Sequence, residues 1–432
     1  MKKMLLMVFV AFSLTGLNAQ TIRHEIDADR RRAGNSLMAY PEPKSTLTAS
    51  PAGYKVFYIS HYGQNGSRYH LRPDSYTYPQ KILEDAHKAG VLTPVGIGVL
   101  RDVELLYEDA RDRWGELTPL GVLQQRQIAR RMVERFPELF EKRENVDARS
   151  TTVGRCILSM ESMMYELAAI RPQVDLHHNA THRDMFFLNQ LDKKLLAQAK
   201  AGSVPQQLQA VKDRWLDHRR MMQLLFSDTA YVNRHIDADN LVSHLFSLAV
   251  QVQNTELRGQ IDLLRIFTAD ELYGLWHVDN AKRYTEQGAC TLNGGNQPYS
   301  QRNLLRRIIS DADSCLNMAE PCIQLRFGYS SCMLPLICLL DVNGYGLATA
   351  DLESLDRRGW AVYRMIPMSS NLQLVFYRRS QDDKDVLFKV LLNEQEATLP
   401  LPSRRAPYYR WSDFRRYYLR KLDAYREGED GQ

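Results

Sequence analysis

Ile59-Ser60-His61-Tyr62-Gly63-Gln64-Asn65-Gly66-Ser67-Arg68-Tyr69 runs from an aromatic, β-branched segment into a glycine-bearing loop with an arginine near its end. Residues 54–60 predict a short buried strand, because such side chains suit a pleated surface covered on both faces. A strand opening straight into a polar loop sets that loop beyond its carboxyl end, where ligands bind in open α/β sheets. A distant stretch, Leu325-Arg326-Phe327-Gly328-Tyr329-Ser330-Ser331, repeats the form. It predicts a strand over 322–327, then a glycine and polar residues leading into a buried helix at 333–340.

The segments around these two fill in an α/β pattern. Residues 79–89 and 98–111 have helical periodicity. Thr118 is a good N-cap with Pro119 at the first helical position, for a helix to about residue 136. Asp147-Ala148-Arg149-Ser150 precedes a helix over about 152–169, and 174–176 predicts a short strand. From about 183 to 279 the pattern is almost wholly helical, with amphipathic stretches at 232–246 and 257–269. Ser300 is expected to cap a helix through about 313. The period then switches to two, predicting strands at 360–365, 372–378 and 386–392, before Ser412 caps a final helix to about 425. The order predicts an α/β fold: a mostly parallel sheet flanked by helices, built from both ends of the chain, with an inserted all-helical cap. The expected divisions are a leader at 1–19, an N-terminal arm at 20–50, the α/β domain at 51–180 and 290–432, and the cap at 181–289.

Composition narrows the function classes. Of 432 residues, 44% are hydrophobic and 25% charged, as in an ordinary globular protein and unlike a disordered chain or coiled coil. Lys2 and Lys3, an apolar run over 5–17 and Ala19 read as a secretory leader, so the protein is expected to be periplasmic or secreted, without membrane insertion. Removing that leader takes the formal charge from +5 to about +3, with no dense basic block, which argues against nucleic acid as a partner. Trp411, Phe414, Tyr418, Leu422 and Tyr425 recur at spacings of three and four, an apolar stripe for docking on the sheet rather than an RNA surface. Export permits disulfides among Cys156, Cys290, Cys315, Cys322, Cys332 and Cys338, and a local bridge such as Cys315–Cys322 or Cys290–Cys315 is open. Six cysteines allow fifteen pairings, and spacing alone does not choose. Cys332 and Cys338, within an apolar run, are expected to be buried thiols. No Cys-x-x-Cys occurs, and His177, His178 and His182 lack an intervening acid, so neither a metal nor another cofactor is expected.

The two quoted stretches resemble the signature motifs of the histidine phosphatase superfamily, in the branch holding acid phosphatases, phytases and multiple inositol polyphosphate phosphatases. Leu117-Thr118-Pro119-Leu120-Gly121, Asp147-Ala148-Arg149-Ser150, Pro298-Tyr299-Ser300-Gln301-Arg302-Asn303-Leu304-Leu305 and Asn371-Leu372-Gln373-Leu374-Val375-Phe376-Tyr377 resemble further segments of that branch, in the same order. The resemblance implies a two-step phosphomonoester hydrolysis. A histidine attacks phosphorus, a carboxylic acid protonates the leaving oxygen, and arginines with a second histidine hold the phosphoryl oxygens. At the matching positions Gln64 stands for an arginine, Asn65 for the nucleophilic histidine, Tyr329 for the second histidine, and Ser330 or Ser331 for the acid. Arg68 and Arg149 match phosphate-binding arginines and remain, and Gly66 leaves the loop able to bring N–H groups to an anion.

The replacements fail the chemistry for elementary reasons. An amide nitrogen has its lone pair delocalised into the carbonyl, so Asn65 is a very poor nucleophile. Gln64 keeps a donor but loses the guanidinium charge and fork. Tyr329 is neutral near pH 7, and serine hydroxyls are far too weak to act as the acid. The expectation is an exported pseudophosphatase with no intact catalytic set, holding a phosphorylated small molecule such as an inositol phosphate on Arg68, Arg149 and Gln64. Two alternatives stand beside it: a working phosphomonoesterase on inositol polyphosphates with His61 as substitute nucleophile, and a non-enzymatic interaction protein with a repurposed cleft.

Overall fold

The computed structural model describes residues 22–141, 145–189, 192–319 and 321–425; the expected leader at 1–19 lies outside them. One sheet organises the chain: β1 (Lys55–Gln64), β2 (Asn145–Ser150), β3 (Asp175–Asn179), β4 (Cys322–Gly328), β5 (Asn371–Arg378), β6 (Leu387–Leu392), β7 (Gln395–Ala397) and β8 (Tyr409–Arg410). Their order is β8-β6-β5-β1-β4-β2-β3, with β7 on β6. β1, β4, β2 and β3 pair in parallel, with Gln64 opposite Gly328, so both quoted loops leave the sheet side by side. The other half, β5 to β8, pairs antiparallel. The sheet is thus mixed rather than mostly parallel. The links there are too short for helical crossovers, and β6 returns as β7 through Asn393 and Glu394 at φ of 51° and 63°.

The longer helices are α1 (Asp74–Lys88), α2 (Pro94–Ala110), α3 (Pro119–Arg135), α4 (Gly154–Ile170), α5 (Val204–Trp215), α6 (Ala238–Gln251), α7 (Ala269–Gln287), α8 (Arg302–Leu316), α9 (Ser330–Leu340) and α10 (Trp411–Ala424). Alternation along β1 and β4 divides the sheet into two faces. Ile59, Leu325 and Phe327 pack with Ile128 and Met132 of α3 and Met160 and Met163 of α4. Tyr58, Tyr62 and Phe376 pack with α8, α9 and α10, where Trp411, Phe414, Tyr418 and Leu422 are buried as their spacing implied.

Between 182 and 287 no strand occurs among the described residues. The helical core draws on more of the chain than the segment 181–289. It takes Tyr76 and Leu83 of α1, Val99 and Val103 of α2, and Ile22 and Ile26. The N-terminal arm is therefore docked at its start. Only beyond about residue 39 does it run over the surface, where Tyr40 donates to Glu394 at 2.9 Å and Thr48 to Glu396 at 2.8 Å. The helix α7 joins the cores: Leu272 and Trp276 lie in the helical one, Ala281 and Tyr284 in the sheet's.

Several local expectations change. Residues 360–365 are no strand; Val362–Met365 is a single helical turn, and Asn280 satisfies the Trp360 carbonyl and Val362 N–H that a ladder would have used. Their alternation reflected burial alone. Asp147 to Ser150 belongs to a strand. Residues 257–269 hold two 3₁₀ turns before Thr268 and Glu271 form a capping box for α7. Ser300 sits in a 3₁₀ turn ahead of α8, and Ser412 lies inside α10, so neither is a cap.

The Thr118 cap is present and places α3 against the loop after β1. Its Oγ1 accepts from Gly121 N–H at 3.3 Å and donates to Ser67 O at 3.1 Å. A Cβ on Gly121 would lie 2.2 Å from Ser67 O, and one on Gly66 2.5 Å from Gly121 O. Both clashes are with backbone, which cannot swing away. We expect Gly121→Ala to cost about 2 kcal/mol or more, read as a lowered urea midpoint with unchanged slope.

Candidate functional site

The loop leaving β1 spends its polar groups inside the protein. Gln64 N–H donates to Ser370 O at 2.9 Å and Tyr69 N–H to Glu116 O at 3.0 Å. Gly66 N–H donates to Ser159 Oγ at 3.1 Å, and Ser67 N–H to Gln124 Oε1 at 3.0 Å. Four of the loop's N–H groups are therefore engaged within the protein, and Gly66 permits its close approach to Gly121. The Gln64 side chain donates to Pro367 O, and Asn65 Nδ2 to Gly66 O at 2.9 Å. Both side chains are buried, so the amides at the arginine and nucleophile positions point to the protein's own carbonyls. Gln64 Nε2 is thus engaged within the protein, while its Oε1 is buried without a partner among the described residues.

Arg68 is different. Its Nη1 donates to Tyr69 O at 2.9 Å, and no carboxylate pairs with it among the described residues. Burial drives its guanidinium down to about 10, with the charge of Arg155 the next cause and Arg283 of α7 contributing further. Arg155, on the first turn of α4, is likewise without a carboxylate among the described residues, and its Nε is buried with no partner. Its guanidinium lies 5.4 Å from the Tyr329 ring centroid. Two neighbouring, half-buried guanidiniums repel each other, and an anion between them relieves that repulsion.

Arg149 does not join them. Asp147 holds it at 3.1 Å and Asp184 at 3.2 Å, so its charge is matched within the protein. Asp147 and Arg149, two apart on β2, share one face of the sheet. Arg155 was missed by the sequence reading, yet it carried a signal. A cation in the first turn of a helix opposes the helix dipole, and this helix starts just past the carboxyl end of β2.

At the end of β4, Gly328 is fixed by packing, since a Cβ there would lie 2.1 Å from Tyr62 Oη. Tyr329 is half-buried at the N-cap of α9, with its hydroxyl pushed up mainly by burial, so it stays a neutral phenol. Ser330 is half-buried and Ser331 exposed in the first turn of α9. Arg326 belongs to the interior: it is 1% exposed, 2.5 Å from Asp311, and donates to Ser60 Oγ at 3.0 Å.

His61 lies away from these groups. It is 1% exposed, its ring packs 5.7 Å from that of Phe327, and neither nitrogen has a partner. Alternation on β1 turns it toward the core under α3 and α4, so it cannot serve as a substitute nucleophile. Burial, then the charge of Arg326, lowers it to about 3. His70 is also driven to about 3, chiefly by burial and then by Arg68; its Nε2 faces Ser247 O at 3.2 Å.

Comparison with known proteins agrees with this architecture. Residues 110–393 match the family described as histidine phosphatase superfamily (branch 2). The chain is 22% identical to multiple inositol polyphosphate phosphatase 1 of Gallus gallus over 331 residues, 72% of this chain and 70% of that one. The Bifidobacterium longum multiple inositol polyphosphate phosphatase in complex with inositol hexasulfate superposes with a TM-score of 0.77 at 15% identity, covering 92% of this chain and 99% of that one. The phytase from D. castellii gives 0.66 at 15% identity, covering 91% and 85%. Hafnia alvei phytase in complex with myo-inositol hexakis sulphate gives 0.51 at 14%, covering 86% and 98%.

The buried imidazoles make stability depend on pH. A ring titrating near 6.5 when unfolded and about 3 when folded gives stability that is complete above 6.5 and lost as pH falls toward 3. His61→Leu removes one such ring and orphans no partner. We expect it to lie within about 1 kcal/mol of wild type at neutral pH, and to exceed wild type by on the order of 2 kcal/mol near pH 4.5, in urea titrations at both.

Proposed function

The chain belongs to the histidine phosphatase superfamily (branch 2), and from that membership we propose that it binds phosphate esters of the inositol phosphate kind without hydrolysing them. The observation that carries the reading is the contrast at one end of the sheet. Gln64 and Asn65 are spent on internal carbonyls, while Arg68 and Arg155 are half-buried with no carboxylate partner among the described residues. An anionic ester supplies what the two guanidiniums lack. It meets no imidazole facing its phosphorus and no carboxylic acid beside its leaving oxygen at the family positions. Loss of a nucleophile that works within a unit costs roughly a million-fold in turnover, by analogy with a hydrolytic triad.

The ligand class is taken from the relatives bound to inositol hexasulfate and myo-inositol hexakis sulphate. A densely anionic ring suits a site where Arg283 of the helical region adds a third guanidinium near Arg68. The leader read at residues 1–19 supports export to the periplasm or beyond, and no helix among the described residues is long and apolar enough to cross a membrane.

Calorimetric titration with inositol hexakisphosphate should give salt-sensitive binding that weakens about ten- to a hundredfold in Arg68→Ala or Arg155→Ala and is unchanged in Arg149→Ala. Phosphate release should stay at the buffer level. Steady release by the wild type, or full affinity in the Arg68/Arg155 double variant, would overturn the reading.

A further inference from the structure

We infer that Cys315 and Cys322 form a disulfide in an oxidising environment, closing the turn between α8 and β4. Cys315 lies in the last turn of α8 and Cys322 opens β4. Both are free, buried thiols that line the same cavity, and the Cys315 thiol is the largest influence on that of Cys322. Each of the other thiols has different surroundings. Cys156 Sγ meets Gly328 O at 3.3 Å, and Cys332 Sγ meets Asn189 Oδ1 at 3.7 Å. Cys338 and Cys290 are buried elsewhere, in α9 and just after α7. Among the fifteen pairings open to six cysteines, this one joins two thiols on one cavity, seven residues apart in sequence.

The turn is already held for closure. The Arg378 guanidinium donates to Leu316 O at 3.2 Å and Met318 O at 3.1 Å, holding the backbone that follows Cys315. The thiols also have a route to solutes: both line a cavity of about 270 Å³ with Asp147, His177 and Gln324. Yet the residues are only 3% and 5% exposed, so the finished bond is shielded from reductants. The Cys315 thiol beside it, and burial, push the Cys322 thiol up, so exchange is slow at neutral pH and quickens as pH rises.

The oxidant is a small disulfide such as oxidised glutathione. One cysteine thiolate attacks a glutathione sulfur and expels a glutathione thiolate. The second cysteine then attacks the protein-side sulfur of the mixed disulfide and expels the other. Two protein thiols are oxidised, and one disulfide is reduced to two thiols. The bond would tether the first residue of the strand that delivers Tyr329 to the site.

Where oxidation occurs in the cell depends on export, but the chemistry does not, so the test uses a glutathione redox buffer. The full chain is equilibrated there, quenched in acid, unfolded in urea at about pH 8 with excess iodoacetamide, and cut with trypsin. Cleavage after Arg307 and Arg326 puts both cysteines on one peptide, residues 308–326. Oxidation should leave that peptide unlabelled and two hydrogens lighter, with two labels appearing after prior reduction. The oxidised protein should melt a few degrees above the reduced one, a difference absent in Cys315→Ala and in Cys322→Ser. Two labels on the peptide from oxidised wild type, or either cysteine linked to another peptide, would refute the assignment. The mass readout on wild type decides the matter even where a variant fails to fold.

Discussion

The contact between the Ser67 carbonyl and the α-carbon of Gly121 fixes the carboxyl end of β1. It brings the backbone of a loop onto the first turn of a helix with no side chain between them. Around it lies a mesh of uncharged donors and acceptors. Gln124 accepts from Ser67 N–H and Ser369 Oγ, Gln125 donates to Gln64 O at 3.1 Å, and Ser67 Oγ meets Asn254 at 2.6 Å. Asn254 in turn reaches Leu37 O at 2.7 Å. Sheet, helical region and N-terminal segment are thus tied through neutral groups. Such groups cost on the order of 1–3 kcal/mol each when left unpaired and buried, so the mesh resists piecemeal change.

Gln64 and Asn65 fit that mesh because they are amides. A guanidinium at position 64 would bring a charge into that mesh, which an amide does not. The same loop exports its remaining charge outward: Arg68 has one backbone acceptor and two like-charged neighbours. Uncharged residues have been drawn into the interior while cationic ones are left in mutual repulsion.

Much of this was legible beforehand where local chemistry is decisive. The Thr118 cap, the strands at the two glycine loops and the stripe of α10 each rest on interactions within a few residues or on burial periodicity. The changed expectations have a different origin. Arg149 lies near the end of β2 and Arg155 follows that strand by a few residues. Only the fold shows that Asp184, 35 positions along the chain, pairs with Arg149, while no carboxylate among the described residues pairs with Arg155. Residues 360–365 alternate like a strand, yet a side chain from α7 takes the hydrogen bonds a ladder would supply. His61, beside the loop in sequence, is turned away from it by the two-residue repeat of its own strand.

The helix α7 is a 19-residue rod clamped near each end in a different hydrophobic core. A helix cannot lengthen or bend sharply without losing backbone hydrogen bonds. The two cores it joins are therefore coupled through one continuous run of backbone hydrogen bonds, so a shift of one is passed along the rod to the other.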